Sequence, residues 1–157
     1  MSFLLLLDAE DPNCLEKILP ILPKYEALVE EADPYFNISG KKLEKVATEL
    51  PKLQTKYSKA LKEMKGLVQW LETVKDKRNA RAWKKFTEGY PAKLGPNDIK
   101  NYVNGDAAII EINQIIIEVE LVKQHLESIV EGFEQMGWMV GHVTKLRVAE
   151  LQEYILD

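Results

Sequence analysis

The chain has 157 residues, 46% hydrophobic and 29% charged, with a formal net charge of -4. That length and balance fit one domain with its own core and exclude a globally disordered chain. A lone cysteine, Cys14, excludes an intrachain disulfide or a multi-cysteine zinc site and suits a reducing cytosol.

In chain order, the apolar run Phe3 to Leu7 has no basic residue ahead of it and is too short for a signal peptide or a membrane span. Asp11-Pro12 reads as a helix start, with a short helix through Leu15, Ile18 and Leu19 that Pro20 and Pro23 interrupt. Tyr25, Leu28 and Val29 lead to Asp33-Pro34, read as a turn. Residues 1–38 are thus expected as an N-terminal addition, packed on the main body or on a neighbour.

Residues 39–86 form the first helical arm. Leu43, Val46, Leu50, Leu53, Tyr57, Ala60, Met64, Leu67, Leu71 and Val74 alternate steps of 3 and 4, the period of a helix packing along one seam. Ser39 is the expected N-cap, and Pro51 is expected to kink or end a short helix and start a longer one to about Phe86. Residues 87–97, with Gly89, Pro91, Gly95 and Pro96, read as a loop, and Asn97 or Asp98 as the cap of the next helix.

The second arm, 98–157, repeats the pattern at Ile112, Ile115, Val119, Val122, Leu126, Ile129, Phe133, Met136, Val140 and Val143. A further row, Ile109, Ile116, Val130 and Leu146, widens the stripe, and Ile117 and Leu121 lie outside it, so this helix should meet more than one neighbour. The expected fold is all-α: a single helical domain in which two long helices form an antiparallel hairpin with shorter N-terminal helices, assembling as a homo-oligomer. Ile116, Val119, Leu126, Val130, Phe133 and Val140 are the expected assembly residues. Gly137 and Gly141 are spaced for close helix approach or a local bend.

Catalysis leaves no recognisable trace. His125 and His142 have Val122 and Met139 three positions earlier, so the Glu-x-x-His pairs of di-iron bundles are missing. There is no HExxH motif, nucleophile elbow or glycine-rich phosphate loop, and neither a metal nor a cofactor is expected. The concentrated feature is electrostatic. Lys75 to Lys93 holds seven cations and two anions, 7 − 2 = +5, whereas Asp106 to Asp157 holds three bases and ten acids, 3 − 10 = −7. Lys77, Arg78, Arg81, Lys84 and Lys85 share overlapping helix faces, interleaved with Trp83 and Phe86. Single-stranded nucleic acid needs this pairing, cations on phosphates and aromatic faces on unpaired bases. Equally, the segment suits a solvated helix C-terminus with Trp83 and Phe86 in the core.

Three stretches carry a family resemblance. Leu50-Pro51-Lys52-Leu53-Gln54-Thr55-Lys56-Tyr57 opens the long helix, Arg78 to Gly89 is a basic-aromatic segment closing in a glycine turn, and Tyr102-Val103-Asn104-Gly105-Asp106 precedes the last helix with Gly137-Trp138, His142 and Arg147. In order and spacing they resemble the UvsY family of phage recombination mediators from about Glu30 to Glu150. Here Lys84, Lys85 and Phe86, with Trp83 ahead of them, replace the family's paired tyrosines; Met1 to Val29 and Leu151 to Asp157 look like additions. The resemblance implies a single-stranded-DNA-binding mediator that forms a ring-like homo-oligomer. It also implies contacts with a RecA-like phage recombinase and a single-strand-binding protein, in the cytoplasm of the infected bacterial host. DNA contact falls on Lys77, Arg78, Arg81, Lys84 and Lys85, assembly on the last helix. The alternative is a helical scaffold or virion-assembly oligomer without DNA binding.

Overall fold

The computed structural model describes Ser2 to Leu156, with side chains as far as Glu150. These residues form two 3-10 turns, Phe3–Leu6 and Cys14–Lys17, then helices α1 (Leu22–Glu30), α2 (Asp33–Phe36), α3 (Leu43–Glu88), α4 (Pro96–Asn104) and α5 (Ala107–Leu156), with no strand among the described residues. At 46 and 50 residues, α3 and α5 are the frame.

The two long helices run antiparallel. Tyr57 lies against Phe133 with ring centroids 5.3 Å apart, Lys65 reaches Glu127 at 3.8 Å and Arg78 reaches Glu111 at 2.9 Å. Positions therefore rise along α3 as they fall along α5. Most of the two alternating series is what the seam buries: Met64, Leu67, Leu71, Ile112, Val119, Leu126 and Phe133 have no exposed surface. Each such large aliphatic or aromatic side chain contributes about 1.5–3 kcal/mol by leaving water. At the far end Val143 is exposed, so the seam closes at Val140.

The N-terminal segment packs on the hairpin of its own chain. Cys14, Leu15, Ile18 and Leu22 are buried in the same core, and the Tyr57 hydroxyl donates to the Leu28 carbonyl at 2.9 Å. A Cβ on Gly66 would meet Leu4 Cδ1 at 2.7 Å, and one on Gly132 would meet Phe36 Cε1 at 2.7 Å. These two glycines permit the close approaches. Gly137 faces Leu50 Cδ2 at an ordinary 3.5 Å, Gly141 faces open space, and α5 runs unbroken through both.

Several boundaries differ from the sequence expectation. Pro51 neither ends nor divides the first arm, because Val46 and Leu50 before it and Tyr57 after it are all buried against α5. Tertiary burial outweighs the one backbone bond that proline forgoes. The N-cap is Lys42, not Ser39. Pro23 lies in the first turn of α1 and so opens a helix where an interruption was expected, while Asp33-Pro34 begins the single helical turn α2. Gly95, with Pro96 after it, precedes α4 in place of Asn97 or Asp98, and Gly105-Asp106 separates α4 from α5. Of residues 151–157, expected as an addition to the family pattern within the second arm, the backbone continues α5 to Leu156; the side chains and Asp157 lie outside the described residues.

Candidate nucleic-acid interface

The basic segment is the last four turns of α3, at the closed end of the hairpin. There α4 crosses the tip on a small second core of Ala82, Ile99, Val103 and Ile109, with Phe86 and Leu94 against it. Ala82 faces inward and turns its cationic neighbours out.

Most of those cations have acidic partners in the same chain. Arg78 is the most enclosed, its side chain 15% exposed; Nη1 donates to the Ala108 carbonyl at 2.8 Å and to Glu111 at 2.9 Å, bracing the first turn of α5. Lys85 pairs with Asp106 at 3.2 Å, and Asp106 also accepts from the Ala108 N–H at 3.0 Å, capping α5. That backbone donor, then Lys85, holds the Asp106 carboxyl below the usual carboxylate range. Lys77 and Arg81 share Glu10, one carboxylate oxygen each. Among the described residues Lys84 makes no ion pair, and it stands exposed. Four of the five cations thus meet three acids, and with Lys84 the sum is 5 − 3 = +2. The acids come from distant parts of the chain, out of reach of a count along the segment.

Beside the cations, Phe86, Tyr90 and Tyr102 form an aromatic cluster with centroids 5.4–6.1 Å apart. Lys85 Nζ sits 5.0 Å from the Phe86 ring centre, a cation–π distance, and both tyrosines are exposed. Trp83 is 40% exposed and outside both cores, so the core alternative fails for it, whereas Phe86 is half-buried against the second core. At 100° per residue it stands about 200° round the helix from Arg81, flanking only Lys84. An open cleft of about 320 Å³ runs between the N-terminal segment and α3, lined by Asp11, Cys14, Lys77, Arg78, Arg81 and Lys85 among others. No group of His, Cys, Asp and Glu among the described residues is arranged to hold a metal ion.

Residues 31–151 match the family described as "Recombination, repair and ssDNA binding protein UvsY". The chain belongs to the UvsY family. The crystal structure of the bacteriophage T4 recombination mediator protein UvsY has the same fold, with a TM-score of 0.68 at 16% identity, over 80% of this chain and 98% of that one. No curated protein sequence matches.

The UvsY match encloses the whole basic tip and the aromatic cluster but begins after Glu10, so the acid on Lys77 and Arg81 comes from outside it. Of the expected assembly residues, Val119, Leu126, Phe133 and Val140 are buried against the rest of the same chain, and Ile116 and Val130 are partly buried beside them. The apolar residues left on the outside of α5 are others: Ile110, Ile117, Leu121, Trp138, Met139, Val143, Leu146 and Val148, with Trp138 81% exposed. Ile110, Ile117, Leu121, Met139 and Leu146 fall within about 40° of one another round the helix. The sequence signal for this second face was the misfit of Ile117 and Leu121. Tyr102 was missed as a site residue because its partners, Phe86 and Tyr90, lie across a loop.

Proposed function

We propose that this UvsY-family chain is a recombination mediator without enzymatic chemistry. It binds single-stranded DNA and helps load a RecA-like recombinase onto strands covered by single-strand-binding protein, in phage recombination and repair in the host cytoplasm. The observation that carries the reading is the family match over 31–151, which encloses the basic-aromatic tip of α3. In this reading Lys77, Arg81, Lys84 and Lys85 grip phosphates, the face of Tyr90 and Tyr102 stacks bases, Trp83 flanks Lys84, and Arg78 holds the tip in shape. A grip of modest net charge suits a mediator, which must hold a strand and let it go. The chain also assembles as a ring-like homo-oligomer, through the outward row Ile117, Leu121 and Met139 with Trp138 to one side of it, in place of the buried stripe, and joined tips gain avidity from effective concentration. No described helix is long and apolar enough to cross a membrane.

Anisotropy of a labelled oligothymidylate across a salt series tests the grip. Arg81→Ala with Lys84→Ala should weaken binding to all sequences alike and flatten the salt slope by about 0.7 per lost phosphate contact. Unchanged affinity and slope would refute it. The extensive internal pairing of the cations favours one other reading, a helical scaffold without DNA binding, and the same titration separates the two.

A further inference from the structure

Glu10 bridges two cations one helical turn apart. One carboxylate oxygen bonds Lys77 Nζ, and the other accepts from Arg81 Nη2 at 3.1 Å. A phosphodiester presents the same donor-seeking face, two non-bridging oxygens sharing one negative charge. We propose that the Lys77–Arg81 fork is a phosphate subsite for the strand backbone, and that Glu10 fills it as an internal stand-in which the strand displaces. The inference rests on the single-stranded-DNA reading above and adds a regulated site to it.

Three features support it. Glu10 is placed on purpose-built backbone: Asp8 Oδ1 accepts from the Glu10 N–H at 2.9 Å, the Asp11 N–H bonds the Asp8 carbonyl at 3.2 Å, and Cys14 and Leu15 anchor the next turn in the core. The three side chains are 61% (Glu10), 39% (Lys77) and 65% (Arg81) exposed. Ion pairs this open to water stabilise a fold little and weaken with salt, so another anion can exchange with the carboxylate. Beside the fork lies the open cleft of about 320 Å³, where Arg78 and Lys85 are already matched by Glu111 and Asp106, so Lys77 and Arg81 are the cations of its lining that only Glu10 occupies. Lys77 above all, and then Arg81, hold the Glu10 carboxyl below its ordinary range, so it remains an anion at neutral pH.

The test uses the full chain, anisotropy of a labelled oligothymidylate, and three variants checked for unchanged helix content. Glu10→Gln should bind about two- to fivefold tighter than the parent at low salt, the scale of one exposed ion pair, with the advantage shrinking as salt rises. Glu16→Gln makes the same charge change nearby, off the fork, and should gain clearly less. Lys77→Ala with Arg81→Ala should bind more weakly than the parent. If Glu10→Gln gains nothing, or no more than Glu16→Gln, while the double variant is weakened, there is no stand-in and the DNA reading survives. If the double variant binds like the parent, the fork is no phosphate subsite and this grip fails with it.

Discussion

At the scale of single residues, the tip separates one enclosed cation from several exposed ones. Arg78, bound to Ala108 and Glu111, organises the start of α5, whereas Arg81, Lys84 and Lys85 stand in water. Tyr90 offers an exposed ring on an aromatic platform beside Lys85, and Trp83 projects from the other side of α3. Tyr90→Ala should therefore lower single-strand affinity by about 1–3 kcal/mol, the worth of a stacked base, with an unchanged salt slope. Trp83→Ala should cost less affinity than that and leave stability within about 0.5 kcal/mol, as surface changes do; a clear fall in melting temperature would mean that its ring supports the tip. Gly141 sits in a helix interior facing open space. Gly141→Ala should raise stability by up to about 1 kcal/mol, read by urea unfolding, and a loss would reveal a close neighbour in the assembly.

At the scale of elements, Asp106 decides how α5 begins. Asp106→Ala removes the cap on Ala108 and the partner of Lys85, and should cost about 1 kcal/mol. Because the folded protein holds this carboxyl below its unfolded value of about 3.9, its contribution is present above that pH and is lost as pH falls through the folded value. The variant's stability should accordingly depend less on pH in that acid window, and an equal dependence would contradict the cap. Both long helices and their buried series were legible in the sequence, since the alternation of 3 and 4 directly records a seam. The continuity of α3 through Pro51 was not, because it depends on what Val46 and Leu50 touch across the hairpin. Nor were the acids on the basic segment: Glu10 reaches Arg81 from 71 positions away, and local spacing carries no trace of it.

For the whole molecule, burial of Val119, Leu126, Phe133 and Val140 makes the seam a folding determinant, and the proposed assembly would have to use the apolar residues exposed on α5. Trp138→Asp with Leu121→Asp should reduce the mass in solution while preserving helix content, whereas Leu126→Asp should unfold the hairpin. An unchanged mass for the first variant would move the interface elsewhere. The length of the hairpin has a mechanical meaning. Leu50, which faces Gly137 beside Trp138, and Arg81 are 31 positions apart on one helix, about 45 Å at 1.5 Å per residue. Protomers joined near Trp138 would carry their charged tips as spokes of that length, so neighbouring tips grip separate stretches of one strand and the stretch between them hangs slack, open to another protein.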